Sequence, residues 1–318
     1  MSAELSRPDS VNRGKQTNLA SRLFQAVLFP AVVVAGIAAM TNATDLGVPL
    51  QGMQVIVFFA VLALVAGVER ILPVDATWNA SRNGDYKTDL ASFIVLMGAT
   101  DPVLKALSPI VLASLLSLLG TPVSLGLFPA DWPFLAQLAI AALVAEFGQY
   151  WMHRLAHTWP LLWRFHAVHH SVERIYWLNG FRVHPLNMVW HHFAGAFVLQ
   201  LLGAGTDVVV TYLTLSGIAS AFQHANIRLA LGPLNYLFST NELHRWHHSD
   251  KPHEGNRNYG GVLIVWDLVF GTYRRVDAAQ PERLGLSEAG GYPRESFWRQ
   301  LAAPFAWARM TGRSSPAE

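Results

Sequence analysis

The chain has no cysteine among its 318 residues. That absence excludes disulfides, iron–sulfur clusters, thiolate-ligated haem and cysteine nucleophiles, so any metal site must use nitrogen and oxygen donors. Charge is scarce too. Asp, Glu, Lys and Arg make up 14% of the chain, against about 25% in soluble domains, which makes a membrane protein the first class to test. The net charge of +2 gives no basic excess for a nucleic-acid partner, which would cluster its Lys and Arg on one face. Histidine is absent before His153 and after His253, so the N-terminal half offers no histidine to a fused haem domain.

Long apolar runs are present instead. Residues 1–21 are polar and read as a cytoplasmic tail. Beyond them come Leu23–Met40, Met53–Leu72, Leu90–Leu119, Pro133–Trp151, Leu186–Leu202 and Val208–Phe222, near the ~20 residues that span a bilayer. Leu90–Leu119 is interrupted by Asp101-Pro102 and reads as a kinked span or a re-entrant hairpin. The linkers Thr41–Gln51, Gly120–Trp132 and Gly203–Asp207 carry no Lys or Arg. The positive-inside rule then favours six crossings with both termini and all histidines on the cytoplasmic side. The expected fold is all-α: a membrane helical bundle of about four to six spans with a cytosolic cap. Residues 22–273 form the membrane-embedded part, with histidine boxes at 153–248, and 274–318 form a C-terminal cytosolic tail. An Ala-rich composition without a dilysine-type tail points to a bacterial inner membrane.

The thirteen histidines are clustered and spaced. His153 and His157 are four apart, so on a helix both rings share one face. His166-Ala-Val-His169-His170 and His244-Arg-Trp-His247-His248 repeat the spacing i, i+3, i+4, each offering three nitrogens to a cluster. His224 ends the last apolar run. These nine rings exceed the four ligands of a closed zinc site and suit a pair of metals with four to five ligands each. Imidazole holds zinc, copper, iron and nickel; iron suits oxidation of lipid C–H bonds. His184, in Arg182-Val-His-Pro, is the candidate tenth ligand, aimed into the site or capping a helix. His191 and His192 lack the box spacing and read as interfacial or supporting, and His253 as a loop residue. Glu146 lies two helical turns before His153 inside an apolar run, where a charge is costly. It accepts a hydrogen bond from a ligand ring, or pairs with Arg154 or Arg164. Asn226 either supports the site by hydrogen bonding or caps a helix.

In this order the boxes resemble the fatty acid hydroxylase superfamily, which includes sterol desaturases, sterol C4-methyl oxidases and alkylglycerol monooxygenases. The likeness runs from Tyr150-Trp-Met-His-Arg-Leu-Ala-His157 to Asn258-Tyr-Gly-Gly-Val-Leu-Ile-Val-Trp-Asp-Leu-Val-Phe-Gly-Thr-Tyr273. It implies a helical membrane fold capped over two iron ions, O₂-dependent oxidation of a bilayer lipid, and a separate electron donor such as ferredoxin, cytochrome b5 or a reductase. The family's ligands carry over to His153, His157, His166, His169, His170, His224, His244, His247 and His248. Some members add a histidine four residues after the His224 position, where this chain has Arg228. The reading is therefore a lipid hydroxylase, with a desaturase using the same centre as its rival. A metal transporter would line the spans with ligands, whereas these lie on one side; a zinc-stabilised scaffold would consume no O₂. The substrate stays open among sterols or hopanoids, carotenoids, fatty acyl chains, ornithine-type lipids and alkylglycerols.

Overall fold

The computed structural model describes residues 19–79, 85–121, 124–276, 278, 280–287 and 291–311. The polar N-terminal stretch lies almost wholly outside them, as do the last residues of the C-terminal one. Among the described residues the fold is all helical, with only isolated bridges between extended segments. Four helices are long and apolar enough to cross a membrane: α1 (Leu19–Thr41), α2 (Leu50–Ile71), the unit formed by α3 (Asp85–Val95) and α4 (Asp101–Leu118), and α5 (Phe134–Thr158). After α5 a single extended residue, Trp159, turns the chain, and Pro160 opens α6 (Pro160–His170). Proline suits that first position because its missing N–H would find no partner there anyway.

These four candidate spans fall within the expected four to six, and the other two apolar runs meet at a turn whose Leu201 and Leu202 carbonyls accept the N–H groups of Leu125, Leu127 and Phe128, before the start of α5. Leu186–Leu202 folds as two short helices, α7 (Pro185–Ala194) and α8 (Ala196–Leu202), broken at Gly195. The end of α7 lies directly on α5, because a Cβ on Gly148 would overlap the Ala194 carbonyl oxygen. The other expected span, α9 (Thr206–Gln223), packs between α1, α2 and α5. Its Thr211, Tyr212 and Thr214 are buried in protein, and a helix surrounded by protein needs no lipid-like composition.

Leu90–Leu119 forms no hairpin. α3 and α4 are one continuous helix of 34 residues, widened by a single π-helical turn at Leu96–Thr100. The turn accommodates Pro102, which lacks an N–H and crowds the carbonyl four residues earlier. At 1.5 Å per residue the unit is about 51 Å long, well beyond the ~30 Å hydrocarbon layer. Its first turns therefore stand in the cap, where Asp85 pairs with Arg174 at 2.8 Å and Asp89 with Arg182 at 2.5 Å. Asp89 also accepts the Tyr176 hydroxyl. Both members of the Asp89–Arg182 pair are buried, which ties the stretch between α6 and α7 to α3.

The cap is completed by α10 (Asn241–His247), α11 (Pro252–Gly255), α12 (Val265–Val269), α13 (Phe297–Ala302) and α14 (Trp307–Thr311). The C-terminal stretch packs on the back of α6: Leu286, Tyr292, Ala303 and Trp307 form a buried cluster with Ala167. The main core joins α1, α2, α5 and α9 through Phe29, Val57, Val61, Ala141, Ala145, Ile218 and Phe222. Phe29 meets Phe222 and Phe238 edge-on at 5.3 Å. This core holds the ends of α5 and α9 where the histidines emerge.

Candidate metal centre

α5 carries His153 and His157 one turn apart. α6 carries His166, His169 and His170, the chain leaves α9 at His224, and α10 and the residue after it carry His244, His247 and His248. The rings gather into two groups. His153, His157, His166, His170 and His247 form the first, and His169, His224, His244 and His248 the second. Within each, the nitrogens available to a metal lie within 4.8 Å of one another. All nine histidines chosen from their spacing fall in these groups, and His184, His191, His192 and His253 do not.

Each triple is divided between the groups. On α6, His166 and His170 face the first and His169 the second; on α10, His247 faces the first and His244 and His248 the second. Successive helical residues are rotated by about 100°, so His169 and His170 look to either side of a shared wall. There His170 stacks on His248 at 4.5 Å between ring centroids.

Oxygen atoms behind the rings fix their tautomers. His153 Nδ1 donates to the Tyr259 carbonyl at 2.7 Å, and His247 Nδ1 to the Arg257 carbonyl at 2.8 Å. A carbonyl only accepts, so these Nδ1 atoms carry the proton and the Nε2 lone pairs point inward. His224 Nδ1 meets Asn179 Oδ1 at 3.1 Å, and Asn179 is oriented by its own amide donating to the Arg174 carbonyl. His166 and His157 use Asn187 and Asn256 in the same way, at 3.2 and 3.0 Å. The Nε2 atoms of His153 and His166 then face each other at 3.0 Å. His157 Nε2 is buried with no hydrogen-bond partner. Facing lone pairs with no proton between them repel, and a cation between them makes the same contact favourable. The donor set therefore fits a metal, with outer hydrogen bonds orienting five of the nine rings.

Burial, and then the neighbouring rings, hold His170, His244, His247 and His248 well below the ordinary histidine value of 6.5, and push His169 down to about 3. The rings are neutral at neutral pH, the form a metal needs. In the unfolded chain they take up protons near pH 6.5, but in the fold only far lower. Below about pH 6.5 the unfolded state binds more protons, so the metal-free fold loses stability progressively as pH falls. The unfolding temperature of chelator-stripped protein in detergent is expected to drop between about pH 7 and pH 5; a flat profile would contradict neutral buried rings.

The remaining candidates have other partners. His184 Nδ1 accepts the Leu186 N–H at 3.1 Å, capping α7, and its Nε2 donates to the Leu301 carbonyl at 3.3 Å. His191 stands beside His153 with ring centroids 5.9 Å apart, and His192 bonds Ser108 at 3.0 Å. Asn226 touches no histidine: it accepts the N–H groups of Val74 and Asp75 and donates to Asp75 O and Asn79 Oδ1. Glu146 meets neither a ligand ring nor an arginine. Its carboxylate accepts the N–H groups of Gly261 at 3.0 Å, Val262 at 2.6 Å and Leu263 at 3.3 Å, and the Tyr212 hydroxyl at 2.9 Å. It thus anchors the loop whose Tyr259 carbonyl orients His153.

Besides Asp89, two buried carboxylates escaped the sequence reading. Glu69 of α2 accepts the N–H groups of Trp177 at 2.8 Å and Asn226 at 2.7 Å, clamping the chain on either side of the Asn179–His224 contact. Its presence in an otherwise apolar run was the available signal. Asp267 of α12 accepts the N–H groups of Tyr259 and Gly260, both at 2.8 Å, and the Thr272 hydroxyl at 2.6 Å. Nothing in the spacing marked it.

An all-helical membrane protein with two adjoining sets of inward-facing neutral imidazoles has two clusters able to bind metals. The family described as fatty acid hydroxylase matches residues 138–272, the stretch from mid-α5 to Thr272. The chain is similar to ornithine lipid hydroxylase OlsE of Rhizobium tropici, with 33% identity across 90% of this chain and 86% of that protein. It is also 33% identical to the alkylglycerol monooxygenases of Danio rerio and Homo sapiens, across 42% of this chain but only 30% and 29% of theirs. No solved structure matches it. The chain belongs to the fatty acid hydroxylase family and is an oxidoreductase of that family.

Proposed function

We propose that the protein is a di-iron hydroxylase of an ornithine-type membrane lipid, using O₂ and electrons from a separate carrier. The observation that carries this reading is the extent of the likeness to the ornithine lipid hydroxylase, which covers most of both chains. Likeness to the alkylglycerol monooxygenases of Danio rerio and Homo sapiens is confined to 134 residues.

In this reading one iron is held by His153, His157, His166, His170 and His247, and the other by His169, His224, His244 and His248. The bound irons supply O₂ activation and oxidation of an unactivated C–H bond. The protein's part is positional. The carbonyls of Tyr259 and Arg257 and the amides of Asn179, Asn187 and Asn256 keep the Nε2 atoms aimed inward. The close-packed cap keeps bulk water from rings that are nearly all buried. The positive-inside argument puts the site on the cytoplasmic side, within reach of a soluble electron carrier.

The test is comparative lipidomics of cells that make ornithine lipids, with and without the gene, under ¹⁸O₂. Hydroxylation adds one oxygen derived from O₂ to the lipid. Loss of two hydrogens without oxygen would show a desaturase, and an unchanged lipid profile would reject both.

A further inference from the structure

We infer that Asp267 tunes the metal of the first histidine group through a single peptide unit, adding to the inequality between a five-ring and a four-ring site. The inference rests on the proposal that both groups hold metal.

The relay can be followed atom by atom. The peptide unit between Tyr259 and Gly260 has its carbonyl on one side and its N–H on the other. The carbonyl accepts His153 Nδ1–H at 2.7 Å, and the N–H donates to Asp267 Oδ2 at 2.8 Å. Resonance couples the two ends of a planar amide, so a carboxylate on the N–H makes the carbonyl a stronger acceptor, and hydrogen bonds in series reinforce one another. A stronger acceptor behind Nδ1–H makes the opposite nitrogen a more basic ligand, as happens when a carboxylate binds a metal-ligating histidine directly. Here a peptide stands between the carboxylate and the ring.

The arrangement is built rather than incidental. Asp267 is buried, and its other oxygen takes the Tyr259 N–H and the Thr272 hydroxyl. Because Thr272 donates to Asp267, the Tyr150 hydroxyl must donate to Thr272, at 3.0 Å, and Arg154 in turn donates to Tyr150 at 3.1 Å. A cation thus closes the chain that begins at the carboxylate. Gly260 leaves no room for a side chain, since a Cβ there would overlap the Leu263 carbonyl oxygen, and Asn258 holds a left-handed φ of 56° at the start of the turn. The second group has no counterpart among the described residues. His224 is backed by a neutral amide, and the Nδ1 atoms of His244 and His248 have no hydrogen-bond partner.

The test is a redox titration with Mössbauer spectroscopy on the full-length, iron-loaded protein in detergent or nanodiscs. Wild-type protein is expected to show two distinguishable irons. Asp267→Asn removes the charge and is expected to raise the potential of one iron while leaving two bound. Thr272→Val removes a competing donor from the carboxylate, leaves more of its charge on the relay, and is expected to lower that same potential. Opposite shifts confined to one iron support the relay. Shifts in the same direction, shifts of both irons together, or no shift overturn it, because mere loosening of the loop gives no opposed signs. If Asp267→Asn does not fold, the Thr272→Val shift decides alone: a fall at one iron supports the relay, and any other result rejects it. Wild-type protein that binds no pair of metals would instead sink the di-iron reading.

Discussion

His247→Ala protein is expected to accumulate in the membrane at normal levels, bind at most one metal and form no detectable product. His247 is one of five rings in the first group, and its Nδ1 is held by the Arg257 carbonyl. The substitution removes both a donor and a fixed lone pair, and leaves the cavity behind them. Losing only an outer partner of a ligand ring typically costs about 10–100-fold in affinity or activity, so losing the ring itself should cost more than ~100-fold. The change leaves the sequence of the candidate spans α1 to α5 intact, so membrane insertion is expected to be retained. Metal analysis and lipid mass spectrometry on the same preparation check the result, and full activity would end the case for the first group as a catalytic metal site. His184→Ala is the matched control. That ring already serves the α7 cap and the Leu301 carbonyl, so metal content is expected to stay at wild-type level while the unfolding temperature falls modestly. A loss of metal there would make His184 a ligand after all.

Glu146→Gln, which changes few atoms, should be strongly destabilising. The wild-type carboxylate is buried at 0% exposure and accepts three backbone N–H groups and the Tyr212 hydroxyl. A glutamine can keep its oxygen where Oε2 takes the three N–H groups, but without the negative charge, and its NH₂ then replaces the oxygen that accepted the Tyr212 hydroxyl. The Tyr212 donor left unpaired costs about 1–3 kcal/mol, and bonds to a charged acceptor are stronger than those to a neutral amide, so the variant should lose several kcal/mol. The loss should also be local. Gly261 to Leu263 adjoin the turn that supplies the Tyr259 carbonyl to His153, so the first group is expected to release metal at lower chelator concentration than the second. Chelator titration with a fluorescence-monitored melt would show both effects. Wild-type stability with unchanged metal retention would mean that Asp267 holds the loop by itself.

The histidines were legible because a helix turns local spacing into shared direction, so His153/His157 and the two triples announced themselves in short windows. Which rings would stand together was not legible. That depends on how α6 and α10 face each other across nearly eighty residues of chain, and the structure splits each triple between two groups. Hydropathy found every apolar run but could not show that α9 is surrounded by protein or that Leu186–Leu202 breaks into two helices at Gly195. Glu146 stood out as a charge in an apolar run, yet three of its four partners lie more than a hundred residues away and are backbone N–H groups, which sequence does not display. Asp267 left no trace for the same reason: its role exists only once the turn at Asn258–Gly260 has closed around it.

The sharing of α6 and α10 between the two groups bears on how the centre is assembled in the cell. A metal entering either group fixes the rotation of both helices, and with it the rings of the other group. The ordering cost is met largely by the first ion, so the second binds to a site already formed. Loading is thus cooperative. When metal is scarce the protein is expected to divide into filled and empty copies with few half-filled ones, which metal-to-protein ratios resolved by native mass spectrometry would check.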